Sequence, residues 1–153
     1  MPTSMNRRKA LTAMSLLMTL GLSLPGRAFA DELRKATLYK NPQCGCCAEY
    51  GKYLGQNGFD VQVVETLDLP SVKREHGVPA ALEGCHTTLV DGYVIEGHVP
   101  VDIVQRLLRE KPAIKGISLP GMPAGSPGMM GEKTAPLTVY EISDEPNKVY
   151  ATE

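Results

Sequence analysis

The sequence predicts an α/β domain, and three observations carry that prediction. Alternating or β-branched runs take turns with stretches of helix formers, first at residues 35–39, 46–56 and 59–65. Turn signals punctuate them: Asn41-Pro42, Asn57-Gly58 and Asp91-Gly92. Once a leader is set aside, 123 of the 153 residues remain, enough for one compact domain.

The leader comes first. Arg7-Arg8-Lys9 precedes an apolar run from Ala10 to about Leu24, broken by Pro25-Gly26, and Ala28-Phe29-Ala30 supplies the small-x-small pattern of a signal-peptidase site. The run is short for a membrane anchor, which needs about 18–20 apolar residues. Cleavage after Ala30 is therefore expected, giving a signal peptide (1–30) and a mature domain (31–153), with an uncleaved anchor as the alternative. Arg7-Arg8 also permits a twin-arginine export route beside the ordinary secretory one. The chain's sixteen basic residues, less four in the leader, leave twelve against seventeen acidic, a net charge of −5. A mildly acidic domain without a basic stripe is a poor nucleic-acid binder. No second apolar run reaches spanning length, so no membrane span is expected after cleavage.

Each element follows from its residues. Residues 35–39 (KATLY) alternate as a strand, and Asn41-Pro42 ends it, because the residue before proline avoids the helical region. Residues 46–56 hold Ala48, Glu49, Lys52 and Leu54, then stop at Asn57-Gly58. Residues 59–65 (FDVQVVE) read as a second strand. Residues 69–76 read as a short helix, with Pro70 in its first turn and Gly77 after its end. A hairpin follows: 87–90, the Asp91-Gly92 turn, 93–96. Val101, Val104, Leu107 and Leu108 mark an amphipathic helix over 100–110. A Gly/Pro/Met-rich stretch, 117–131, reads as a flexible loop carrying Met122, Met129 and Met130. One more strand is expected at 137–142, with a short partner at 148–151. The order β-α-β-α-β-β-α is that of the thioredoxin fold, here with a loop and an added C-terminal strand.

Three of the four cysteines crowd into Cys44-Gly45-Cys46-Cys47, at the entry to the first predicted helix; the fourth is Cys85. A helix N-terminus stabilises thiolate, which favours disulfide exchange through Cys44 and Cys47 and soft-metal binding alike. Two features favour metal. Cys46 is one sulfur too many for simple exchange, and Cys85-His86 stands where an exchanger of this fold presents a cis-proline, Pro79 lying too far upstream. A Cys46–Cys47 bridge would be strained, and a stapling role could pair Cys44 with Cys47 and Cys46 with Cys85. The hairpin returns His98 to the same edge. His76 reads as a solvated helix end. Thiolate and imidazole suit Cu(I) or zinc. Zinc sites present paired cysteines at wider spacing. Three cysteines in four residues close poorly around one ion, whereas thiolates that bridge can hold a multinuclear Cu(I) cluster. The methionines offer thioether ligands or plain gap-filling.

The runs Tyr39-Lys40-Asn41-Pro42-Gln43-Cys44-Gly45-Cys46-Cys47, Gly84-Cys85-His86-Thr87, Gly92-Tyr93-Val94-Ile95-Glu96-Gly97-His98-Val99-Pro100 and Leu119-Pro120-Gly121-Met122-Pro123 resemble the CopG family of periplasmic copper-resistance proteins. The likeness spans residues 35–140. It implies a thioredoxin-like domain that binds copper through Cys44, Cys46, Cys47 and Cys85, with His86 and His98 beside them. It also implies Cu(I)/Cu(II) interconversion and an association with copper export or oxidase components. A thiol-disulfide oxidoreductase using Cys44 and Cys47 is the alternative.

Overall fold

The computed structural model describes residues 33–153, so the leader expected at 1–30 lies outside the described residues. Strand β1 (Arg34–Lys40) has β2 (Phe59–Glu65) parallel on one side and β3 (His86–Val90) antiparallel on the other. Helix α1 (Gly45–Gln56) makes the crossover from β1 to β2, and α2 (Leu69–Glu75) links β2 to β3 through a 3₁₀ turn at Ala80–Leu82. Strand β4 (Tyr93–Glu96) returns against β3, and α3 (Val101–Glu110) leads to β5 (Gly116–Ser118), which pairs parallel with β4. Strands β6 (Thr138–Ile142) and β7 (Val149–Thr152) complete a sheet of order β2-β1-β3-β4-β5-β6-β7. No helix among the described residues is long and apolar enough to cross a membrane.

The expected β-α-β-α-β-β-α order is present, and most boundaries agree within a residue. The hairpin turn holds Asp91 and Gly92 at φ 49° and 84°, both left-handed as a tight two-residue turn requires. One element differs. Residues 117 and 118, assigned to the loop, belong to strand β5. A three-residue strand buried on both sides shows no alternation to read.

Successive residues of a strand face opposite sides of a sheet, and Ile95 and Val94 accordingly enter different clusters. The larger one joins Leu38 and Ile95 to Tyr50 and Leu54 of α1 and to Val104 and Leu107 of α3. Burying each of these aliphatic side chains stabilises the fold by roughly 1.5–3 kcal/mol. A smaller cluster of Val78, Leu82, Val94 and Ile142 packs on the other face. The C-terminal ends of β1 and β4 and the start of β3 meet at one edge of this sheet, and the cysteines sit there.

Candidate metal centre

Lys40 closes β1 and builds the approach to the cysteines. Its buried ammonium pairs with Glu65 at 3.1 Å and donates to the carbonyls of Asn41 and Pro42 at 3.2 and 3.3 Å. Asn41 completes the turn: its side chain accepts from Gln43 N and its carbonyl from Cys44 N, both at 2.9 Å. Cys44 caps α1, so Cys46 and Cys47 fall in the first turn. Free N–H groups and the positive end of the helix dipole there favour thiolate.

The four sulfurs of Cys44, Cys46, Cys47 and Cys85 all lie within 4.8 Å of one another. Cys44 and Cys47 are joined in a disulfide, with Cα atoms 5.4 Å apart, while Cys46 and Cys85 are free. A four-thiolate site therefore requires two-electron reduction of that bond. The structure also rules on the stapled arrangement: only the first of its two bonds is present.

A second donor group, Cys85, His86 and His98, shares Cys85 with the first. His86 opens β3, one residue earlier than the predicted strand, and its Nδ1 is 3.4 Å from Cys85 Sγ; its buried Nε2 has no hydrogen-bond partner among the described residues. His98 Nδ1 lies 2.7 Å from the carbonyl of Pro127. A carbonyl only accepts, so Nδ1 carries the proton. Nε2 then presents a lone pair to Cys85 Sγ at 2.9 Å. Metal-ligating histidines share this arrangement, one nitrogen free and the other donating to a backbone carbonyl. The residues fit a soft metal ion on these grounds.

Burial, reinforced by Cys46, pushes the Cys85 thiol up to about 12. Cys85 is thus a neutral thiol near pH 7, and a metal that binds there displaces its proton. Burial holds His86 well below the usual histidine range, and burial likewise lowers His98, so both rings are neutral donors. Tyr50 walls the pair, its ring 4.6 Å from His86 and 5.4 Å from His98, with its hydroxyl donating to Val99 O at 2.8 Å.

The neutral histidines predict acid sensitivity. On unfolding, each ring regains the ordinary pKa of about 6.5, so the unfolded state binds more protons below that pH. Their contribution is complete above about pH 6.5 and is lost as pH falls below it. Urea unfolding of the reduced, metal-free domain should show stability declining from pH 6.5 to 5, by up to about 1.4 kcal/mol per pH unit for each histidine. A flat profile in that window would contradict the burial of both rings.

The Gly/Pro/Met-rich stretch crosses the site. Gly121 N donates to Glu83 O at 3.3 Å, and Ser126 is buried, its hydroxyl donating to Pro123 O. Gly128 packs on α1 so closely that a Cβ there would stand 2.8 Å from Tyr50 N. A segment expected to be a flexible loop is thus tied down at both ends of the site, and the tie at Pro127 orients His98. Met122 and Met130 are exposed and Met129 is half-buried. His76 is half-buried, its ring 6.3 Å from that of Tyr39.

Lys40, Lys73, Thr87, Glu96 and Pro127 also build the site, although their spacing in the sequence does not point to it. Lys73 and Glu96 form a buried ion pair, and Glu96 also accepts from Gly84 N and the Thr87 hydroxyl, both at 2.7 Å. The one available signal was Glu96 itself, a carboxylate closing an otherwise apolar strand.

A family model described as "Protein of unknown function, DUF411" matches residues 82–129. Two solved structures titled "Copper resistance protein copG", Form 2 and Form 1, match the chain at 35% and 36% identity with TM-scores of 0.74 and 0.73. Each covers 80% of this chain, and the match spans 99% and 98% of theirs. No curated protein matches.

Proposed function

This chain belongs to the CopG copper-resistance family, and from that premise we propose that it binds copper, holding Cu(I) among the thiolates of Cys44, Cys46, Cys47 and Cys85. His98 Nε2 and His86 supply nitrogen donors. The observation that carries this reading is the sharing of Cys85 between a four-sulfur group and a Cys85-His86-His98 group. A thiolate common to two donor groups can bridge ions, which favours a multinuclear site. Thiolate and imidazole are the soft and borderline donors that Cu(I) prefers.

The Cys44–Cys47 disulfide supports a redox role for the same site. Closing it converts two thiols into one S–S bond and releases two protons and two electrons. Two Cu(II) ions can take one electron each and become Cu(I). This chemistry supports interconversion of Cu(I) and Cu(II), the leader read in residues 1–30 supports a periplasmic setting, and the family resemblance supports copper export or oxidase components as partners.

Thiol-disulfide exchange is the second reading, favoured by the same disulfide at a helix N-terminus. Against it stands Cys85 at the mouth, with no cis peptide bond among the described residues to present a substrate.

Copper analysis of the mature domain separates the two. Anaerobically reduced protein loaded with Cu(I) should retain more than one ion per chain, with all four thiols masked until a strong chelator is added. The air-oxidised protein, with two thiols, should retain less. No retained copper, together with ready reduction of Cys44–Cys47 by a dithiol, would favour the exchanger.

A further inference from the structure

The carboxylate of Glu96 brackets the dipeptide that carries two of the candidate ligands. One oxygen accepts from the backbone N–H of Gly84, just before Cys85, and the other from the hydroxyl of Thr87, just after His86, both at 2.7 Å. Glu96 is fully buried, as are His86 and Thr87, so water does not compete for these bonds. Backbone contacts reinforce the bracket. Gly97 N donates to His86 O at 3.0 Å, and Gly84 lies so near Gly97 that a Cβ on it would stand 2.8 Å from Gly97 Cα. Two residues beyond Glu96 along the chain, His98 reaches Cys85 Sγ. One residue thus ties the 84–87 segment to the segment that carries His98. Lys73, from α2, neutralises the carboxylate, and its ammonium also reaches Thr87 Oγ1 at 3.3 Å.

We propose that Glu96 is a positioning residue for the copper site: its carboxylate pins Gly84 and Thr87 and so fixes Cys85 and His86 against His98 and the α1 cysteines, while Lys73 serves as its counter-ion. The inference rests on the copper-binding reading. A simpler role, a buried ion pair that only stabilises the fold, fits less well, because such pairs gain little over apolar residues of the same volume. The hydrogen bonds to 84 and 87 are what an apolar pair could not supply.

The test separates the bracket from the charge. In Lys73→Met/Glu96→Gln, the amide still accepts from Gly84 N and still reaches Thr87, without either charge. In Lys73→Met/Glu96→Leu the bracket is gone. The Leu variant should lose copper to a chelator at least about tenfold faster than wild type, the scale of lost support around a metal ligand, and the Gln variant should recover most of that difference. A metal-free readout accompanies it. Alkylation of Cys85 in the apo protein should accelerate in the Leu variant relative to Cys46, and much less in the Gln variant.

Wild-type copper retention and Cys85 alkylation rates in the Leu variant, with only its melting temperature lowered, would overturn the proposal. Equal losses in the Gln and Leu variants would overturn it as well. Should the Leu variant fail to fold, Thr87→Val removes one arm of the bracket, and an unchanged Cys85 alkylation rate in it would be decisive against the bracket. A wild-type protein that binds no copper would refute the copper reading and leave the alkylation test of the bracket intact.

Discussion

Cys85→Ser is expected to lower Cu(I) affinity by about a hundredfold or more and to reduce the number of ions retained per chain. Losing a partner around a metal ligand costs about 10–100-fold in affinity, and removing the ligand itself should cost no less. Cys85 is the sulfur common to both donor groups, so its loss disconnects the α1 cysteines from His86 and His98. Serine is close to isosteric, and its hydroxyl can donate to His98 Nε2 as the thiol does, so the fold should survive. Competition with a chromophoric Cu(I) chelator measures the affinity, and circular dichroism checks the fold. Under thiol-disulfide exchange the same variant should behave as wild type, because Cys44 and Cys47 are untouched, whereas Cys44→Ser should abolish turnover. Unchanged copper binding in Cys85→Ser would remove the shared-thiolate site and favour the exchanger.

Much of the fold could be read from the chain because its local signals agree with its long-range ones. Asn57-Gly58 ends α1 with Gly58 at φ 93°, and Gly77 follows α2 at φ 70°. Both are left-handed positions that glycine tolerates without strain. Strand β5 escaped because its identity lies in pairing with β4 and β6 and not in its three residues. The site divides the same way. Cysteine spacing announced Cys44, Cys46 and Cys47, and the hairpin register brought His98 back to Cys85, since Thr87 pairs with Glu96 across β3 and β4. The supports around them come from distant segments. Lys73 sits in a helix whose neighbours Arg74 and Glu75 are exposed, and in sequence it is indistinguishable from a solvated lysine. The carbonyl of Pro127 is a backbone atom and leaves no trace in composition. The redox state of Cys44 and Cys47 depends on their potential against that of the compartment, and C-x-x-C spacing serves a dithiol and a disulfide alike.

Lys73→Ala should destabilise the reduced, metal-free domain by about 3–5 kcal/mol, the cost of leaving one partner of a buried ion pair alone. Both side chains are almost wholly buried, at 4% and 0% exposure for Lys73 and Glu96, so solvent cannot replace the lost ammonium. For a domain of this size the loss corresponds to a fall in Tm of roughly 10–20 °C. The exposed pairs set a contrast. Breaking Lys52–Glu49 or Arg106–Glu110, both exposed on helix surfaces, should leave the Tm almost unchanged. Removing both charges in Lys73→Met/Glu96→Gln should recover most of the Lys73→Ala deficit, because no charge is then left desolvated and the amide keeps contact with Gly84 N and Thr87. Thermal unfolding of the single and paired variants measures this directly, and a deficit below about 1 kcal/mol in Lys73→Ala would mean that water reaches Glu96. A pair whose two charges together add little to stability is kept by a different demand. The geometry of residues 84–87 supplies one, since only a side chain with two polar arms, the two oxygens of a carboxylate or the oxygen and nitrogen of its amide counterpart, can hold both sides of Cys85-His86 at once.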